Sequence, residues 1–193
     1  MQRCEIKAKR TQDLIDATLI SVDQHGLHHT TIKTISSIAG ISSGLISHYF
    51  DGKQGLIEAT QRYLLDNLKH ALLIRVQNKK LEPQQRLFAI VEANFTDLQC
   101  SNPATKTWLS FWAQAMHEPQ LARLQKVNNQ RLVTNLQYSF AQALEKNDAI
   151  DAAKQTAAMI DGFWLRSALQ AKPEEAFKEA EQLCKRYISE RLR

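Results

Sequence analysis

Residues 30–53 read TTIKTISSIAGISSGLISHYFDGK, and the interpretation of this stretch decides the fold. Ile32, Ile35 and Ile38 recur at helical spacing behind Thr30 and Thr31, either of which can serve as an N-cap. Ala39-Gly40 stops that helix, because glycine accepts the left-handed C-terminal cap without a Cβ clash. Ser42 follows two residues later and caps a second short helix. Two short helices joined this tightly form a helix-turn-helix, the geometry that presents its second helix to a DNA major groove.

The second helix has two distinct sides. Ile46 and Phe50, four residues apart, pack with Ile41 against the first helix. Ser43 and Ser47 are also four apart, with Gly44 and His48 beside them, and this small polar side suits base edges and phosphates better than burial. Ser43 and Gly44 fall in the first turn, where a helix N-terminus favours a phosphate oxygen. An ordinary amphipathic helix in an all-α domain is the competing interpretation. Lys33, on the outer side of the preceding helix, is a candidate phosphate contact. Lys53 opens a long helix, where a cation is unfavourable to the helix dipole, and a phosphate contact would supply a reason for it.

The stretch resembles the DNA-binding domain of the TetR family of bacterial repressors: a threonine-rich cap, a helix, an Ala-Gly turn, a short recognition helix, Tyr-Phe, and a lysine three residues on. Thr31, Gly40, Ser42, Gly44, Tyr49, Phe50 and Lys53 occupy those positions. Ser47 departs from the pattern, standing where the family more often carries tyrosine with its phosphate-contacting phenol. The resemblance implies an N-terminal helix-turn-helix head over residues 1–52 that binds double-stranded operator DNA, and a helical ligand-binding and dimerisation body over 53–193. Thr31, Lys33, Ser42, Ser43, Gly44, Ser47, His48, Tyr49 and Lys53 are the expected DNA contacts.

Composition agrees with such a protein. The chain of 193 residues is 44% hydrophobic and 23% charged, globular values that exclude a disordered or membranous polypeptide. No apolar run approaches the ~18 residues of a membrane span, and the start MQRCEIKAKR lacks the apolar segment of a secretory signal, so a cytoplasmic protein with no membrane partner is expected. Cys4, Cys100 and Cys184 are odd in number and far apart, which argues for reduced thiols and against a disulfide framework or metal spacing. No cofactor and no catalytic constellation is indicated: His117-Glu118 lacks the second histidine of a zinc-protease helix. The net charge of +5 permits nucleic-acid binding, and its placement says more than its size. Arg3, Lys7, Lys9 and Arg10 oppose only Glu5 immediately before the reading unit, where a basic arm can follow a phosphate backbone.

Along the chain, Leu14, Ile15, Thr18, Leu19 and Val22 mark the buried stripe of a first helix over about 9–24, ended by His25-Gly26. The long helix over about 53–78 contains no proline and makes a natural rod. Five of the six glycines precede residue 56, and all four prolines follow residue 82, each opening an amphipathic run. These predict helices over 83–100, 103–117, 119–145, 149–171 and 173–192, with Asn102 as the cap before Pro103. The fold class expected is all-α.

Within the body, Trp108, Phe111, Trp112, Ala115 and Met116 share one helical side. A well-filled core is the plain explanation. The functional one is an aromatic box for a cation, since a quaternary ammonium has no N–H and is best held by π-faces with a carboxylate nearby. Phe95, Trp108, Phe111, Trp112 and Trp164 are the expected aromatic groups and Asp161 or Glu92 the expected carboxylate, unless Arg166 or Lys106 pairs with Asp161. The runs MHEPQLARLQ, MIDGFWLRSALQ and ISHYF resemble one branch of the TetR family, the choline-responsive repressors of the glycine betaine synthesis genes. That resemblance implies repression of choline uptake and oxidation genes, relieved by choline. A TetR-type repressor of an efflux or catabolic operon, responding to another small cation, is the alternative. Ala153, Ala157, Ile160, Asp161, Trp164, Ala168 and Ala171, with a weaker stripe of Phe177, Ala180, Cys184, Tyr187 and Ile188, are expected to form the seam of a homodimer.

Overall fold

The computed structural model describes residues 2–77 and 80–193, with side chains from Glu5 onward. The side chains of Arg3 and Cys4 and the expected helix end at Asn78 lie outside the described residues. Ten helices are present among the described residues: α1 (Gln2–His29), α2 (Ile32–Ala39), α3 (Ser43–Tyr49), α4 (Gly52–Val76), α5 (Pro83–Asn94), α6 (Asp97–Cys100), α7 (Asn102–Ala115), α8 (Pro119–Phe140), α9 (Lys146–Ala168) and α10 (Pro173–Arg191). They form two compact units, one of residues 1–65 and 101–123, the other of 66–100 and 124–193.

The first unit is built around α1. Leu14, Ile15 and Ala17 of α1 meet Ile35, Ile41, Ile46 and Leu56 in an apolar core, edged by Tyr49 and Phe50. Thr18 and Val22 continue the buried side of α1, as its spacing predicts. The helix begins near Gln2 rather than Lys9, because residues 2–25 contain no glycine or proline and the basic N-terminal residues are good helix formers. Gly26, at φ 71 and ψ 160, breaks the regular helix where His25-Gly26 marks its end in the sequence. Thr31 is the N-cap of α2: its hydroxyl accepts the Thr34 N–H at 3.1 Å, and the Thr34 hydroxyl accepts the Thr31 N–H at 2.9 Å. Thr30 is buried instead, donating its hydroxyl to the Gly26 carbonyl. Gly40 closes α2 in the left-handed region (φ 63, ψ 30). The α7 helix packs along α1, and Lys106 fastens the two by pairing with the Asp23 carboxylate at 2.5 Å and donating to the Asp23 carbonyl at 2.8 Å.

The second unit is organised on α10. Phe177, Ala180, Cys184 and Ile188 form its buried stripe, with α9 and α5 packed against it. Lys185, on the same helix, is shared by Glu92 of α5 at 2.7 Å and Glu181 at 2.5 Å, and Glu92 also meets Arg75 at 3.4 Å.

Further boundaries differ from the pattern expected. The helix over 83–100 is interrupted at Phe95-Thr96, where the Thr96 hydroxyl accepts the Gln99 N–H and starts α6. Asn102 is helical, and Ser101 is the cap of α7. The α8 helix ends at Phe140 and α9 starts already at Lys146, with no glycine or proline between them to announce the turn. All four prolines do occupy first turns, at α5, α7, α8 and α10.

Candidate nucleic-acid interface and effector groups

The polar side of α3 is bare. Ser42, Ser43, Gly44, Ser47 and His48 are all exposed, while Ile46 on the opposite side is fully buried. Alternation of this kind follows from the helical period: the apolar residues reach the α1–α2 core, which turns the serines outward. Ser42 occupies the N-cap position with extended backbone angles but makes no side-chain cap hydrogen bond, so the expected hydroxyl cap is absent. A Cβ at Gly44 would meet nothing within 4 Å, and the backbone there lies outside the left-handed region. Neither packing nor backbone conformation therefore requires glycine at this position.

The remaining candidates surround that helix. Thr31 and Lys33 are exposed on α2. Tyr49 is half-buried, edging the core and standing edge-on to His48 with ring centroids 5.4 Å apart. Lys53 is half-buried as well, its ammonium donating to the Leu27 carbonyl at 3.4 Å. That bond gives a cation in the first turn of α4 a structural partner at the end of α1. Lys7, Lys9 and Arg10 are exposed along the helical start of α1.

The aromatic candidates fall into two groups. In the first unit, Trp108 and Phe111 are buried edge-to-face at 6.4 Å, Trp112 is half-buried, and Met116 is 82% exposed because the helix ends before it. In the second unit, Phe95 and Trp164 both meet Phe177, at 6.4 and 5.8 Å. Phe177 is thus the ring that joins two of the expected aromatic groups, and its place in the apolar stripe of the last helix was the sequence signal for it. Asp161 lies on the exposed side of α9, yet the atoms packed round its carboxyl displace enough water to push it up to about 6. Lys106, one of its expected partners, is engaged by Asp23 instead.

Gln61 of α4 is not among the residues that the sequence pattern singles out. It is fully buried, and neither its amide nitrogen nor its amide oxygen has a hydrogen-bond partner. The signal was its register, four residues after Ile57 and three before Leu64, inside the buried stripe of a helix whose other members are mostly apolar.

The expected two-fold seam is corrected in part, since Asp161, Ala168, Ala171 and Tyr187 stay exposed or half-exposed but its other members do not. Ala153, Ala157, Ile160 and Trp164 of α9 and Phe177, Ala180, Cys184 and Ile188 of α10 are buried within their own chain, because α9 and α10 pack on each other. A different stripe, on α9 and its cap residue Leu169, remains available: Ala158 and Leu169 are exposed and Gly162 and Leu165 half-exposed, at i, i+11, i+4 and i+7. Burial pushes the thiols of Cys100 and Cys184 up to about 12, which keeps them protonated and unreactive at neutral pH. Among the described residues no group of His, Cys, Asp and Glu has the spacing of a metal site, and no helix is long and apolar enough to cross a membrane.

Comparison with known proteins agrees with this geometry. The family described as bacterial regulatory proteins, tetR family, matches residues 14–60, and the BetI-type transcriptional repressor C-terminal family matches residues 83–193. A Serratia proteamaculans protein named HTH-type transcriptional regulator BetI is 47% identical over 196 residues, covering 100% of this chain and 98% of that protein. A TetR transcription regulator from Haloarcula marismortui superposes with a TM-score of 0.83 at 20% identity, covering 96% of this chain and 100% of that one. A transcriptional regulator from Saccharomonospora viridis, solved in complex with choline, superposes with a TM-score of 0.77 at 18% identity, covering 94% of this chain and 96% of that one. With its helix-turn-helix and its C-terminal part both matched, the chain belongs to the TetR family, in its BetI-type branch, and is a DNA-binding transcriptional repressor rather than an enzyme.

Proposed function

We propose that this protein acts in the cytoplasm as a homodimeric repressor of choline uptake and choline-to-glycine betaine synthesis genes, released from its operator by choline. The observation that carries this reading is the 47% identity, across the full chain, to a relative named BetI. The choline bound by the Saccharomonospora viridis regulator of the same fold supports the ligand class. The functional division is a head of residues 1–52 and a body of 53–193.

In the head, the exposed Ser42, Ser43, Gly44, Ser47 and His48 approach base edges and phosphates, while Thr31, Lys33, Tyr49 and Lys53 contact the phosphate backbone. Pairing through the Ala158–Gly162–Leu165–Leu169 stripe of α9 forms the dimer and sets two copies of α3 one DNA turn apart, ~34 Å, on a palindromic operator. Trp108, Phe111 and Trp112 in the first unit and Phe95, Trp164 and Asp161 in the second supply the chemistry a quaternary ammonium requires, and substitutions in each group decide which of them holds it. Because α4 contributes residues to both units, a ligand that favours a displaced α4 lowers operator affinity. A differential affinity of ~1–3 kcal/mol weakens the complex about 5- to 150-fold.

The test is a DNA shift with the promoter of a neighbouring betaine-aldehyde dehydrogenase gene, titrated with choline, betaine aldehyde and a bulky lipophilic cation. Release by choline is expected. Failure to bind that promoter, or release only by the lipophilic cation, refutes the proposal.

A further inference from the structure

We infer that Gln61 is the group that recognises the hydroxyl of the effector. The inference rests on the choline-type reading above and adds to it the residue that selects a hydroxylated cation. Gln61 is 0% exposed, and both ends of its amide lack a partner. Its neighbours along α4 give it nothing: Leu56, Ile57 and Leu64 are apolar, and Thr60 spends its hydroxyl on the Leu56 carbonyl at 2.8 Å. Buried polar groups in folded proteins are paired in the large majority of cases, since an orphaned donor or acceptor forfeits its hydration without compensation. An orphaned donor and an orphaned acceptor on one planar amide therefore mark a place for a group that both donates and accepts.

A hydroxyl meets that requirement. It has one O–H to give to Oε1 and lone pairs to receive from Nε2. On a quaternary ammonium alcohol it is the sole polar handle, because the cationic nitrogen carries no hydrogen. The same unit holds a second orphaned acceptor, Gln114 Oε1 on α7, the helix that also carries the edge-to-face pair Trp108 and Phe111. Two unpartnered amide oxygens disfavour an acceptor-only end such as a carboxylate and favour a donor. Within the first unit, Trp108 and Phe111 answer the cation and Gln61 answers the alcohol.

The experiment compares choline with propyltrimethylammonium, which replaces the hydroxyl by a methyl at nearly the same size. Binding to the purified full-length protein is followed by calorimetry, for wild type and for Gln61→Met. Wild type is expected to prefer choline at least about tenfold, and the variant to bind both ligands within about twofold, with its affinity for propyltrimethylammonium not reduced. Thermal unfolding of the free variant is expected to match or exceed wild type, since methionine leaves no orphaned group; a lower melting temperature, or failure to fold, would show that the amide is paired inside the protein and overturn the inference. A preference for choline that survives in Gln61→Met, or no preference in wild type, also overturns it while leaving the choline-responsive reading intact. Binding of neither ligand to wild type overturns both.

Discussion

Gly44 offers the sharpest perturbation, because its structural and functional roles predict opposite signs. The residue lies in the first turn of α3, exposed, with ordinary helical backbone angles and open space where a Cβ would go. Gly44→Ala adds one methyl that clashes with nothing in the free protein and reduces the conformational freedom of the unfolded chain. Alanine is favoured over glycine in a helix by about 0.5–1 kcal/mol, which for a chain of this length raises Tm by roughly 1–4 °C. On DNA the same methyl stands on the side of α3 that approaches base edges and phosphates, and the helix must withdraw to make room. A loss of at least about tenfold in operator affinity is expected, equivalent to ~1.4 kcal/mol. Circular dichroism melts and fluorescence anisotropy titrations of a labelled promoter fragment, at one fixed salt concentration, read the two effects separately. A more stable variant with unchanged DNA affinity would refute the close approach of α3 to the duplex. A less stable variant would refute the open environment of Gly44.

Two further outcomes follow from single side chains. Lys53→Ala is expected to weaken binding to all DNA sequences alike and to reduce the slope of log affinity against log salt by about one, measured by titration at several salt concentrations. An unchanged slope would confine Lys53 to its bond with the Leu27 carbonyl. Desolvation lifts the Asp161 carboxyl to about 6, above its ordinary 3.8, so the folded state binds the proton more tightly than the unfolded state and stability falls as pH rises from about 4 to about 6. Asp161→Asn removes that loss, so melts at pH 7.5 should show a larger gain for the variant than melts at pH 4.5; equal gains at both would refute it.

The sequence by itself determined the head, because its signals are local. The Thr31 cap, the Gly40 stop and the three-residue spacing of Ile32, Ile35 and Ile38 act within a turn or two of helix, and the apolar positions of α3 leave only one side for Ser43, Ser47 and His48. The prolines announced helix starts for the same reason: each removes its own N–H, and only the first turn can spare one. Tertiary structure alone decided the rest. The stripes Ala153–Trp164 and Phe177–Ile188 are expected from their spacing as a seam between copies, and the mutual packing of α9 and α10 makes their large apolar members core. Lys106 had several carboxylates within conceivable reach, and the passage of α7 along α1 gave it Asp23, 83 residues away in the chain. Glu92, Lys185 and Arg75 meet for the same reason. Periodicity says which residues turn inward together, whereas which helix they meet depends on a summed burial energy that no short window contains. Gln61 shows the limit most plainly: its register placed it inside, and only the folded neighbours left its amide without a partner.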